Sequence, residues 1–143
     1  MTAYDHDFYA WTQEQARLLH AGRAAELDYE HIAEELEDMG KSEKRRLESH
    51  LTQLLAHLLK WRYQPERCSP SWEITIIEQR ARVKKTLTDS PSLKHTLENT
   101  FSEAYWYARL EAARETGKPL EEFPQGLPWS LEQVMDEQFR PEG

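Results

Sequence analysis

His31, Glu34, Glu35 and Asp38 fall within eight residues of one another, and His50 and His57 follow, seven apart. Imidazole and carboxylate groups projecting from adjacent antiparallel helices are how helical bundles hold divalent transition metals. A His/carboxylate site built from Glu34, Glu35, Asp38, His50 and His57 is therefore one reading, with His57 meeting Glu35 across a turn. The spacing argues against it. Carboxylate-bridged dimetal bundles use Glu-x-x-His, and every histidine here lacks a Glu three residues before it. Asp28-x-x-His31 comes nearest, and His-Glu-x-x-His is missing too. The plainer expectation is a solvated acidic face, a core-edge His57 bonded to a carboxylate, and no cofactor.

Nucleophilic chemistry has less support. Cys68 is the only cysteine, and Pro70 and Ser71 separate it from the next helix start, so nothing marks it as an activated thiolate. Ser49 and His50 are neighbours that point about 100° apart on a helix. The five glycines are scattered and form no phosphate loop. No catalytic residue is expected.

A third constellation is aromatic and cationic. Trp61, Arg62, Tyr63 and Arg67 end one helix, and Trp72 and Arg80 lie on the next. Arg beside Trp and Tyr is the composition of protein–protein hot spots. It is equally that of a helix–helix elbow with arginine stems covering tryptophans, which is the favoured reading.

Charge is uneven. The net charge is −8, yet Lys41 to Lys85 holds eleven Lys and Arg against five Glu. From Glu26 to Asp38 there are seven acids and no Lys or Arg. A nucleic-acid face using Arg80, Arg82, Lys84 and Lys85 is a further alternative. It is disfavoured because the chain as a whole is acidic and its bases are spread out. Missing disulfides, a missing apolar run of membrane length and an acidic aromatic start point to a cytoplasmic protein, with no membrane partner.

These residues sit on helices. The strongest stripe is Leu47, Leu51, Leu54, Leu55 and Leu58, which share one face at 3.6 residues per turn. His50, His57 and Trp61 border it, while Lys60, Gln53 and Ser49 point away. Before it, Thr12 and Gln15 suggest a capping box for a helix closed by Gly22. Asp28 suggests the cap of an acidic helix with a buried face of Tyr29, Ile32, Leu36 and Met39, stopped by Gly40. The leucine helix follows to Tyr63. Another runs from about Trp72 to Thr88, and a fifth from Ser90-Pro91 to Gly117. Ser130 and Gln133 form a capping box for a short last helix. The sum is an all-α protein, a single helical domain over 1–143. Its bundle has five to six helices, short connections and extended aromatic ends.

Specific wording runs nearly the length of the chain. It includes YDHDFYAW (Tyr4 to Trp11), LDYEHIAEELEDMGKSEKRRLESHL (Leu27 to Leu51), HLLKWRYQPER (His57 to Arg67), SWEITIIEQR (Ser71 to Arg80) and FPQGLPWSLEQVMDEQF (Phe123 to Phe139). In these stretches the chain resembles the bacterial domain of unknown function 29 family. The resemblance implies an α-helical protein from a bacterium and carries over no catalytic or binding residue. The expectation that remains is action through another macromolecule, a protein partner or a second copy. The surface would be the acidic helix from Asp28 to Asp38 or the Trp61 to Trp72 elbow.

Overall fold

A computed structural model describes residues 3–142. Among them are six α-helices and no strand: α1 (Ala3–His6), α2 (Phe8–His20), α3 (Tyr29–Tyr63), α4 (Pro70–Asp89), α5 (Leu97–Thr116) and α6 (Leu131–Met135). The residues gather into two compact units, Met1–Ser42 and Glu43–Gly143. Helix α3 contributes its first fourteen residues to one and the rest to the other.

The second unit has a dry core. Leu47, Leu51, Leu54, Leu55, Leu58 and Leu59 of α3 are wholly buried. They meet Ile76 and Val83 of α4, Phe101 and Tyr105 of α5, and Phe123 and Val134. Each such leucine contributes on the order of 1.5–3 kcal/mol. Ala104, Ala108 and Ala112 recur every fourth residue on α5 and are all buried. Small side chains on this face let α5 approach the branched leucines closely.

Capping follows sequence chemistry at several ends. The Ser69 hydroxyl accepts from the Trp72 amide at the start of α4, with Pro70 in the first turn. Gly117 takes a left-handed conformation, φ +73°, and closes α5. Ser130 and Gln133 form the expected capping box on α6. Asp28 accepts from the His31 amide at 3.4 Å as α3 begins.

Other expectations fail. Gly40 does not stop a helix: α3 runs straight through it, because a lone mid-helix glycine costs only about 1 kcal/mol. The turn that was to set Glu35 opposite His57 is therefore not there. Thr12 and Gln15 are no cap either. Helix α2 starts earlier, at Phe8, with Asp7 accepting from the Ala10 amide. Thr12 donates to the Tyr9 carbonyl, while Gln15 accepts from the Asp28 amide at 2.9 Å. Pro91 opens a 3₁₀ turn, Pro91–Thr96, and α5 begins only at Leu97. The aromatic residues near the start are helical rather than extended, whereas residues 123–130 are irregular as expected.

Candidate interaction surface

Among the described residues of the first unit, only Trp11 and Leu18 are buried. What joins its helices is an aromatic and hydrogen-bonded cluster. The Tyr4 ring stacks on His31 with centroids 4.0 Å apart and meets Trp11 edge-on at 4.9 Å. The Trp11 indole donates to the Asp28 carboxylate at 3.0 Å, and the same oxygen lies 2.7 Å from His31 Nδ1. The Tyr4 hydroxyl donates to Glu35.

Electrostatics follow this geometry. Tyr4 is pushed up to about 12, chiefly by its hydrogen bond to Glu35. The bond to Asp28 raises the His31 pKa, and the same bond holds the Asp28 carboxyl below the usual carboxylate range. Asp28 thus fixes His31 at Nδ1, the arrangement that orients an imidazole base. No nucleophilic Ser, Thr or Cys shares a hydrogen bond with this imidazole among the described residues.

The expected buried face of α3 is not buried in this unit. Tyr29, Leu36 and Met39 are 60%, 62% and 66% exposed, and only Ile32 beside them is half-covered. Glu35 and His31 point toward α1 and α2 instead, as their bonds to Tyr4 and their ring contacts show. Phe8, Tyr9 and Leu19 of α2 are exposed as well. Residues 1–42 hold ten Asp and Glu against three Lys and Arg, a balance of −7. Residues 43–143 hold sixteen against fifteen, a balance of −1. Nearly all the net charge therefore surrounds this apolar stripe.

The metal candidates are distributed otherwise. Glu35 is engaged by Tyr4, and Glu34 and Asp38 are exposed. His50 Nδ1 lies 2.8 Å from the Gln79 side-chain oxygen. His57 Nδ1 lies 2.9 Å from the Gln53 carbonyl, so Nδ1 carries the proton and Nε2 faces Lys60 Nζ at 3.5 Å. Burial pushes the His57 pKa down. Among the described residues, no group of three or more His, Cys, Asp or Glu could hold a metal ion. Burial also pushes the Cys68 thiol up, away from a reactive thiolate.

Lys60 departs from its expected place. It is buried, donates to Glu115 at 2.6 Å and sits 5.1 Å from the Trp72 ring centre. A long aliphatic stem lets a lysine lie along apolar surface while its ammonium finds a carboxylate. Helical angle alone places Lys60 outside the leucine arc and gives no signal for this.

The elbow is closed by the chain's own residues. The Arg140 guanidinium lies 5.7 Å from the Trp61 ring centre and pairs with Glu73. Arg62 lies over Tyr63, which meets Phe123 edge-on. Arg80, only 2% exposed, donates to the carbonyls of Val134, Glu137 and Phe139. Of the six elbow residues Trp61, Arg62, Tyr63, Arg67, Trp72 and Arg80, Arg67 alone is exposed. Arg82, Lys84 and Lys85 each pair with a carboxylate, on Glu78, Glu137 and Asp89. No helix of the described residues is long and apolar enough to cross a membrane.

No curated protein and no solved structure matches the chain. A family model does, over residues 3–140, under the description "Domain of unknown function DUF29", and the chain belongs to that family.

Proposed function

We propose that this protein is a non-catalytic helical binding module of the bacterial cytoplasm, and that its first unit is the binding surface. The observation that carries this reading is the stripe of Tyr29, Leu36 and Met39, exposed on a surface of otherwise high charge. Exposed apolar side chains that recur on one helical face and are rimmed by charge mark interaction sites. Helix-in-groove recognition uses anchors on one helical face, and Tyr29, Leu36 and Met39 stand at i, i+7 and i+10 on such a face, with half-covered Ile32 at i+3. The elbow, the other surface considered, is occupied by Phe123 and Arg140 and offers less.

The test is a photoreactive phenylalanine placed at Leu36 or Met39 in cells, with Ser102, exposed on α5, as control. Discrete adducts from positions 36 and 39 and none from 102 are expected. Equal yields from all three positions, or none at 36 and 39, would overturn the reading.

A further inference from the structure

Helix α5 and the segment after it enclose a small pocket in the second unit. Ser102, Trp106 and Arg109 stand at i, i+4 and i+7 and share one face of α5. Gln125, Gly126 and Leu127 line the same pocket from the other side, and its volume is about 320 Å³. That is at the lower end for a small-molecule site and suits a compound of one ring. The two walls are tied together. Arg109 donates from Nε to the Phe123 carbonyl and from Nη2 to the Leu120 carbonyl, both at 3.1 Å. The Tyr105 hydroxyl donates to the Pro124 carbonyl, and Phe123 is buried in the core. The pocket is thus formed before anything enters it, which lowers the cost of binding.

One charge in it is unanswered. Arg80 engages carbonyls through Nε, Nη1 and Nη2 and is sealed. Arg109 engages them through Nε and Nη2 only and stays half-buried, and its Nη1 has no partner among the described residues. No buried side-chain polar atom among those residues lacks a partner, so Nη1 is open to solvent. Carbonyls orient a guanidinium without cancelling its charge. No carboxylate lines the pocket, and none pairs with Arg109 among the described residues. The Ser102 hydroxyl and the Gln125 amide are without partners there as well. Beside them Trp106 is 58% exposed. An indole left open at a pocket wall is a stacking surface for a flat ring.

We infer that this pocket binds a small aromatic carboxylate, with its ring on Trp106 and its anionic group at Arg109. A single fixed cation answers a single negative charge. A phosphate dianion calls for a second base, and none lines the pocket. The site is separate from the first unit's apolar stripe and does not rest on its role.

NMR titration of the isotope-labelled full chain with benzoate, phenylacetate and cinnamate tests this. Trp106→Phe identifies the Trp106 indole signal by its loss. At least one of the three acids should move that signal and the Ser102 and Gly126 amides saturably, with millimolar affinity. The neutral amides of the same acids keep the ring and lack the charge, so they should bind about tenfold more weakly. This comparison probes Arg109 without removing the ties it makes to the fold. Trp106→Ala should weaken binding about tenfold, read from the Ser102 amide. Gly126→Leu should abolish it. Gly126 lies outside the left-handed region and an added Cβ meets nothing within 4 Å, so the new side chain takes up the pocket's space and circular dichroism should be unchanged.

No saturable shift with any of the three acids overturns the inference. So do amides that bind as well as the acids, binding that survives Gly126→Leu, or shifts confined to the other tryptophans. The tripeptide alanyl-alanyl-phenylalanine separates a free acid from a chain terminus, which carries the same carboxylate and ring. It should bind no more tightly than the acids, and binding about tenfold tighter would overturn the small-molecule occupant.

Discussion

His31 and His57 lie on the same helix and meet opposite surroundings. His31 shares a carboxylate with Trp11 and stacks on Tyr4 in a unit whose described residues include two buried side chains. Its charged form is favoured. His57 is pressed into a leucine core, gives its one proton to a carbonyl, and faces an ammonium. Its neutral form is favoured. One region is organised by hydrogen bonds and charge at a wet surface, the other by exclusion of water. A helix can be regular along its whole length and still be held by two kinds of physics. The shorter region, held by charge, leaves six of its large apolar side chains exposed, against four in the longer one, among the described residues.

Truncation of leucines should give the widest separation. Leu54→Ala in the dry core is expected to cost about 2–5 kcal/mol, from lost transfer energy and a cavity. Leu36→Ala, on an exposed position, should stay within about 0.5 kcal/mol. Urea denaturation of both variants measures the contrast, and equal losses would break it.

Arg80→Ala comes next. It leaves the buried Val134 carbonyl without this donor, while those of Glu137 and Phe139 keep Arg140, for an expected loss of about 1–3 kcal/mol. Arg82→Ala, with its single exposed partner, should be near neutral. Thermal melts of the pair sharpen the difference between a charge used inside and one used outside.

Gly40→Ala should stabilise the chain by about 0.5–1 kcal/mol, since the glycine is helical and an added Cβ would meet nothing within 4 Å.

The smallest effect is on protonation. Imidazole NMR titration should place His31 above the ordinary 6.5 and His57 below it. The linkage signs are opposite. The His31 contribution to stability is fully present below pH 6.5 and is lost as pH rises through its raised folded pKa. The His57 contribution is present above 6.5 and is lost as pH falls through its lowered folded pKa. Both histidines titrating on the same side of 6.5 would remove the distinction between the regions.

The leucine stripe of α3 was legible because burial on one face imposes a period, and six residues repeat it. Gly117 and the Ser130–Gln133 box were legible because caps need particular side chains at fixed offsets. Gly40 misled because a helix stop and a tolerated glycine look alike until tertiary support is known. Tyr29, Ile32, Leu36 and Met39 show the sharper limit. Their spacing says that one face is apolar, but periodicity cannot say whether that face is covered by the same chain. Lys60 and Arg80 were hidden for a related reason. Their partners, Glu115 and the carbonyls of 134, 137 and 139, lie more than fifty residues away. No local spacing encodes such a pairing.

Arg80 has a consequence for the order of assembly. A chain made from its amino end exposes α3 and α4 to water well before residues 134 to 139 have been added. Until those residues arrive, the Arg80 guanidinium lacks both the cover and the acceptors they supply, and water serves it instead. Burial of Arg80 is therefore coupled to the docking of residues 134 to 139. A product clipped before Val134 would lack those three acceptors and the Val134 side chain of the core cluster, and is expected to be less stable than the full chain.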